Sequence, residues 1–199
     1  MNDGFDAVLF DMDGLLLDTE RLQLNCFVET RRKFNLADRP DVFLTCIGLR
    51  SDKSAHIVRD SLTDEIDYDA FCKQWKDACN AALAKGVPLR PGVLPLVRNL
   101  AGRGMPMGIA TSTKTNDAKH HLEGAGILQY FDHVIGGDMV DDPKPNPQIY
   151  MNLAKALKVD ASTCVAFEDS ETGARAAIAS GATTIQVPDL IPPSDDIRK

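Results

Sequence analysis

A chain of 199 residues, 44% hydrophobic and 26% charged, is long enough to bury one sizeable core with a modest insertion and has an ordinary globular composition. Its formal charge of -7, with no segment of clustered Lys and Arg, excludes a general nucleic-acid surface, because phosphate backbones demand such clusters. No run of about eighteen apolar residues and no basic leader before a long apolar stretch is found, so no membrane partner is expected and the simplest location is the cytoplasm.

The first predicted element is a strand at "DAVLFD", residues 6–11. Three helical patterns follow with no convincing strand between them. The first, about 19–34, carries Leu24, Phe27, Val28 and Phe34; the second, about 52–62, follows a plausible N-cap at Ser51; the third, about 68–85, sets Phe71, Trp75, Ala78 and Ala82 on one stripe and stops at Gly86. From residue 88 the rhythm becomes βαβα. A helix at "GVLPLVRNLAGRG" leads to a strand at "PMGIAT", a helix over 115–124, a strand at "HVIGG" and a helix at "PQIYMNLAKALK". A strand at "CVAFED", a helix at "TGARAAIASG" and a strand at "TTIQVP" complete the series. Apolar strands alternating with helices predict an α/β fold, a Rossmann-like parallel sheet core with helices on both faces.

The helical stretch interrupts that core. The expected division is 1–15 and 88–199 as catalytic core and 16–87 as an inserted all-helical cap. The crossings fall at Gly14–Leu17 and at "GVPLRPGV", whose Gly and Pro suit turns. Such an insert can serve as a lid. The tail "PPSDDIRK" reads as a polar, poorly ordered end. Cys26, Cys46, Cys72, Cys79 and Cys164 are odd in number and contain no C-x-x-C pair, so they read as reduced core thiols rather than a disulfide framework or zinc site.

Four strand ends carry the chemistry. In an open parallel sheet, ligands bind beyond the carboxyl ends of the strands. Asp11 and Asp13 follow "AVLF" two residues apart, so both can address one ligand. Their mutual repulsion is answered by Mg²⁺, which prefers oxygen donors; "DMDG" alone reads equally as a polar turn. Thr111, Ser112 and Thr113 follow "GIA" and suit phosphoryl oxygens, although Ser and Thr before a helix are also plain N-caps, and Lys114 next to them reads as solvated. Lys144 lies between two prolines before a helix, held on a stiff backbone; without the other sites it would be a surface lysine in a Pro-rich turn. Glu168 and Asp169 end "VAFED", two more acids that are costly without a cation, or else part of a helix N-cap. An anionic substrate of this acidic chain needs local positive charge.

"DMDG", "IATST", "KPNPQIY" and "FEDSETG", in this order and around a helical insert, resemble the haloacid dehalogenase-like hydrolases, chiefly their Mg²⁺-dependent phosphatases. The resemblance extends to the branch with a small helical cap, which includes sugar-phosphate phosphatases and β-phosphoglucomutase. It implies that Asp11 attacks phosphorus and forms an aspartyl-phosphate, and that Asp13 protonates the leaving oxygen and then deprotonates water. It also implies that Asp11, the backbone carbonyl of Asp13 and Asp169 bind Mg²⁺ with Glu168 in or just outside that ligand set. Thr111 and the Ser112 amide would then hold phosphoryl oxygens and Lys144 neutralise charge. "CIGLRS" is similar to a cap specificity loop, making Gly48 and Arg50 candidate substrate contacts, although Arg50 reads equally as an exposed arginine before a helix, with Glu20 and Gln23 of the first cap helix facing the cleft and Lys114 near the phosphate.

The expected function is hydrolysis of a small phosphorylated metabolite, plausibly a sugar phosphate. The alternative is a β-phosphoglucomutase-like phosphomutase. That mutase has a histidine early in the first cap helix where this chain has Gln23, which favours hydrolysis. Dehalogenases need neither Asp13 nor a metal, and receiver-type phospho-acceptors place their acids on other strands and lack a helical insert. Many relatives continue for another strand and helix after the stretch matching "TTIQVPDLIPP". Nothing in the sequence decides the oligomeric state.

Overall fold

The computed structural model describes residues 4–47 and 51–192. β1 (Ala7–Phe10) and β2 (Met107–Ala110) are buried at every position. With β3 (His133–Ile135), β4 (Cys164–Glu168) and β5 (Thr183–Gln186) they form a sheet in the order β3-β2-β1-β4-β5. All four pairings are parallel. Strands without polar alternation belong in the middle of a covered parallel sheet, whereas β5, at the edge, alternates exposed and half-buried residues.

Eight α-helices occur among the described residues: α1 (Thr19–Lys33), α2 (Pro40–Cys46), α3 (Ser51–Asp60), α4 (Tyr68–Leu83), α5 (Val93–Gly102), α6 (Thr115–Gly124), α7 (Gln148–Leu157) and α8 (Glu171–Ala179). Ala7, Leu9, Ala110, Cys164 and Ala166 of the sheet pack with Ile149, Tyr150 and Leu153 of α7 and Ala176 and Ala177 of α8 in one buried cluster. Small residues on α8 let that helix lie close to the strands. On β1, Phe10 stacks on Phe167 at 5.4 Å and meets Phe131 edge-on at 6.0 Å.

The chain divides into two compact units, Met1–Asp18 with Pro88–Lys199, and Thr19–Val87. The first crossing therefore follows Asp18 rather than Leu15. Leu16, Leu17 and Asp18 stay with the sheet unit because they pair with the returning segment. Arg90 N–H donates to the Leu16 carbonyl and Asp18 N–H to the Pro88 carbonyl, both at 2.9 Å. Leu17 bridges Leu89 in antiparallel fashion, and Arg90 forms an ion pair with Asp189.

In the helical unit Phe27 of α1 is the hub, with Phe43, Phe71 and Trp75 at centroid distances of 6.0, 5.9 and 5.0 Å. Buried Arg31 donates to the Ala37 carbonyl at 2.6 Å and to the Ser61 hydroxyl at 3.0 Å, which satisfies a charge that burial would otherwise penalise.

Two helix readings are corrected. α2 is a fourth helix where the sequence pattern showed three; seven residues are too few to display a periodicity, and its start is set by Arg39 in a left-handed conformation (φ 41°) followed by Pro40. The next helix begins at Ser51 itself rather than after it. The five cysteines are free thiols, but only Cys26 and Cys164 are buried in the core; Cys46, Cys72 and Cys79 are half-buried, against the expectation of core thiols. No described helix is long and apolar enough to cross a membrane. The tail beyond Pro192 lies outside the described residues.

Candidate active site

Register builds the site. Phe10 lies opposite Ile109 of β2 and Phe167 of β4, so one step further along the strands come Asp11, Ala110 and Glu168, with Thr111 and Asp169 next. Main-chain bonds hold the exit of the strands: Asp11 N–H donates to the Phe167 carbonyl at 3.0 Å and Thr111 N–H to the Ile135 carbonyl at 3.1 Å. Asp11, Glu168 and Asp169 are all buried, and one oxygen of each lies within 4.8 Å of the others. The carboxylate of Asp13 is not in this cluster.

Lys144 enters from the segment before α7, where a cis peptide joins it to Pro145. Its ammonium donates to Asp11 Oδ1 and Glu168 Oε1, both at 2.6 Å, and to the Ala110 carbonyl at 2.9 Å. All three protons of the group are thereby used. Burial opposes the charge of Lys144, but Asp11 and Glu168 outweigh it and hold the ammonium above its ordinary pKa. Burial raises the pKa of Asp11 well above the usual carboxylate value; Glu168 adds to the rise, Lys144 opposes it, and Asp169 and Asp13 add further. One lysine does not balance three neighbouring acids.

Asp13 faces β2 instead. The hydroxyls of Thr113 and Thr111 donate to its Oδ2 at 2.7 and 3.2 Å, and Thr113 N–H donates to Thr111 Oγ1 at 3.1 Å. The turn that carries Asp13 closes through Gly14 (φ 77°), a left-handed position that suits glycine, whose N–H donates to the Leu17 carbonyl.

Glu168 is fixed from several sides. Oε1 accepts from Lys144 and from the Tyr150 hydroxyl at 2.7 Å; Oε2 accepts from the Ser170 hydroxyl at 3.2 Å. Ser170 also caps α8 by accepting from Gly173 N–H at 3.1 Å. A Cβ at Gly173 would overlap the Glu168 carboxylate. Gly173→Ala is therefore expected to force that carboxylate off its partners and cost about 1–3 kcal/mol of stability. Chemical denaturation measures this, and an unchanged midpoint would refute the close packing.

Of the other sequence-predicted residues, Thr111 is buried, Ser112 is exposed, and Lys114 is exposed at the N-cap of α6 without capping it through its side chain. Glu20 is half-buried in the first turn of α1, and Gln23 is exposed there, its carbonyl accepting from the Trp75 indole at 3.4 Å. Gly48 and Arg50 lie outside the described residues. Thr113, expected among the strand-end hydroxyls that suit phosphoryl oxygens, binds Asp13 instead, and Ser170, an N-cap candidate, does cap α8. Tyr150 and Gly173 are missed by sequence reasoning, although they lie inside the quoted "KPNPQIY" and "FEDSETG" stretches.

The donors around Asp11 are oxygens, and buried. That set suits a hard divalent cation such as Mg²⁺ and offers nothing to a metal that prefers nitrogen or sulfur. Buried acids and a lysine meet at the carboxyl edge of this parallel sheet, where ligands of open α/β folds bind. Residues 8–187 match the haloacid dehalogenase-like hydrolase family, and the chain belongs to it.

Among its relatives is a phosphorylated carbohydrates phosphatase of Thermotoga maritima, 28% identical over 88% of this chain and 82% of that protein. A fructose-1-phosphate phosphatase of Escherichia coli is 27% identical over 94% of this chain and 98% of its own length. The crystal structure of a β-phosphoglucomutase-like protein from Thermotoga maritima superposes with a TM-score of 0.82 at 26% identity, covering 97% of this chain and 90% of that one.

Proposed function

We propose that this phosphatase hydrolyses a small phosphorylated metabolite, a sugar phosphate, with Mg²⁺ and through an aspartyl-phosphate on Asp11. The observation that carries this reading is the buried convergence of Asp11, Glu168 and Asp169 with Lys144 bonded to both Asp11 and Glu168. The names of the two phosphatase relatives support a phosphorylated sugar as substrate.

In the first step a carboxylate oxygen of Asp11 attacks phosphorus, the bond from phosphorus to the ester oxygen breaks, and Asp13 gives that oxygen its proton. In the second, water attacks the phosphorus of the aspartyl-phosphate, Asp13 takes the proton, and the Asp11 carboxylate leaves as inorganic phosphate is released. Lys144, held by Glu168, offsets negative charge on Asp11 and on the phosphoryl group. Thr111 and the Ser112 amide bind phosphoryl oxygens, which requires Thr111 to give up its bond to Asp13.

Asp11, Asp169 and the main-chain carbonyl of Asp13 would hold Mg²⁺, with Glu168 in or beside that set; when bound it stabilises charge on the transferring group. Glu20, Gln23, Gly48 and Arg50 of the helical unit Thr19–Val87 are the residues we propose to select the leaving group. The acidic chain takes no nucleic acid and works in the cytoplasm.

A panel of phosphorylated metabolites, assayed for phosphate release with Mg²⁺ and with EDTA, tests the reading. Release that requires Mg²⁺ and is greatest on a sugar phosphate is expected, and EDTA should bring it to the background of an Asp11→Asn control. No release above that control from any phosphomonoester would refute it. The neighbouring β-phosphoglucomutase-like structure gives weak support to a mutase. Conversion of one sugar phosphate to its isomer without free phosphate would select that chemistry.

A further inference from the structure

The core side of α7 consists of Ile149, Tyr150, Leu153 and Ala154. Three of these are wholly apolar. Tyr150 is fully buried among Leu9, Ala110 and Ala166, yet it carries a hydroxyl that phenylalanine would spare the core. Buried hydroxyls persist where they have a partner. Here the partner is Glu168 Oε1, at 2.7 Å.

The same oxygen receives Lys144 at 2.6 Å, and the lysine nitrogen lies 5.1 Å from the centroid of the Tyr150 ring, within cation–π range. Tyr150 therefore touches both members of the pair. A phenol hydroxyl carries its proton at neutral pH and can donate it to a carboxylate. Of the three acceptors that set the direction of the lysine ammonium, the Ala110 carbonyl belongs to the main chain of β2 and Asp11 follows directly on β1. Glu168 Oε1 alone ends a longer side chain.

We propose that Tyr150 is a positioning residue, which pins Glu168 Oε1 and so aims the Lys144 ammonium at Asp11. The inference rests on the phosphatase reading for the roles of Lys144 and Asp11, and its test has one arm that needs no turnover. Tyr150→Phe keeps the ring and removes the hydroxyl; Tyr150→Leu removes both.

In the first arm, the full metal-free chain is labelled with an amine reagent and analysed by peptide mass spectrometry, with exposed Lys158 as internal reference. Lys144 is expected to label several-fold faster in Tyr150→Phe than in the wild type. In the second arm, phosphate release with Mg²⁺ should show kcat reduced about 10-fold to 100-fold, the usual cost of losing a partner of a site group, with KM little changed.

Equal labelling overturns the proposal whatever happens to kcat, because the effect would then not run through Lys144. Faster labelling with unchanged kcat overturns it too. If Tyr150→Phe behaves as wild type and only Tyr150→Leu is impaired, the residue serves packing and the proposal fails. Faster labelling in a protein whose wild type releases no phosphate upholds the positioning and removes the phosphatase reading instead.

Discussion

Asp11→Asn is expected to reduce phosphate release by at least about 10³-fold, down to what binding and the remaining charges supply. The amide is nearly isosteric but a poor nucleophile. It also removes one acid from the buried cluster of Asp11, Glu168 and Asp169. Because burial and the neighbouring acids hold the Asp11 carboxyl well above its ordinary pKa, the wild-type side chain is under electrostatic strain, and a neutral replacement relieves it. The variant should therefore be folded, and no less stable than the wild type when metal is absent. Loss of activity with an unchanged or higher melting temperature is the expected pair of results. Activity within about tenfold of wild type would remove Asp11 from the chemistry.

Lys144→Met should act in the opposite sense on stability. Both carboxylates that share the ammonium are almost wholly buried, and breaking a buried pair by removing one partner typically costs about 3–5 kcal/mol. Lys144 is the group that opposes the upward shift at Asp11, so its loss leaves Asp11, Glu168 and Asp169 to repel one another. A fall in kcat of about 10²-fold to 10³-fold is expected from the lost charge stabilisation. Thermal melts with and without Mg²⁺ check the first part: the variant should melt lower, and Mg²⁺ should restore more stability to it than to the wild type. An unchanged melting temperature would contradict the ion-pair geometry.

β1, β2 and β4 are legible because each is a short apolar run ended by a polar residue. The parallel sheet followed from the helices between them. Asp11, Glu168 and Asp169 are legible because they stand where such runs stop, and Lys144 because two prolines hold it just before a helix. Other features needed three dimensions. Tyr150 looks like one more core residue on an apolar helix stripe, and only the packing of α7 on the sheet brings its hydroxyl to Glu168. The pairing of Thr113 with Asp13 depends on β1 lying beside β2, a neighbour relation that spans 100 residues of sequence. Gly173 reads as a helix residue, and its need to be glycine appears only beside the Glu168 carboxylate. The short α2 lacks the length to leave a periodic trace.

The antiparallel link of Leu17 to Leu89 and the paired bonds at Leu16 and Asp18 make the exit and re-entry of the helical insert a ready-made hairpin stem. Excising Thr19–Val87 leaves only a tight turn to be built between Asp18 and Pro88. A different insert could be spliced onto the same stem without moving the carboxyl edge of the sheet. The helical unit Thr19–Val87 is thus a module in the chain's own connectivity, joined to the sheet unit at one point of exit and return.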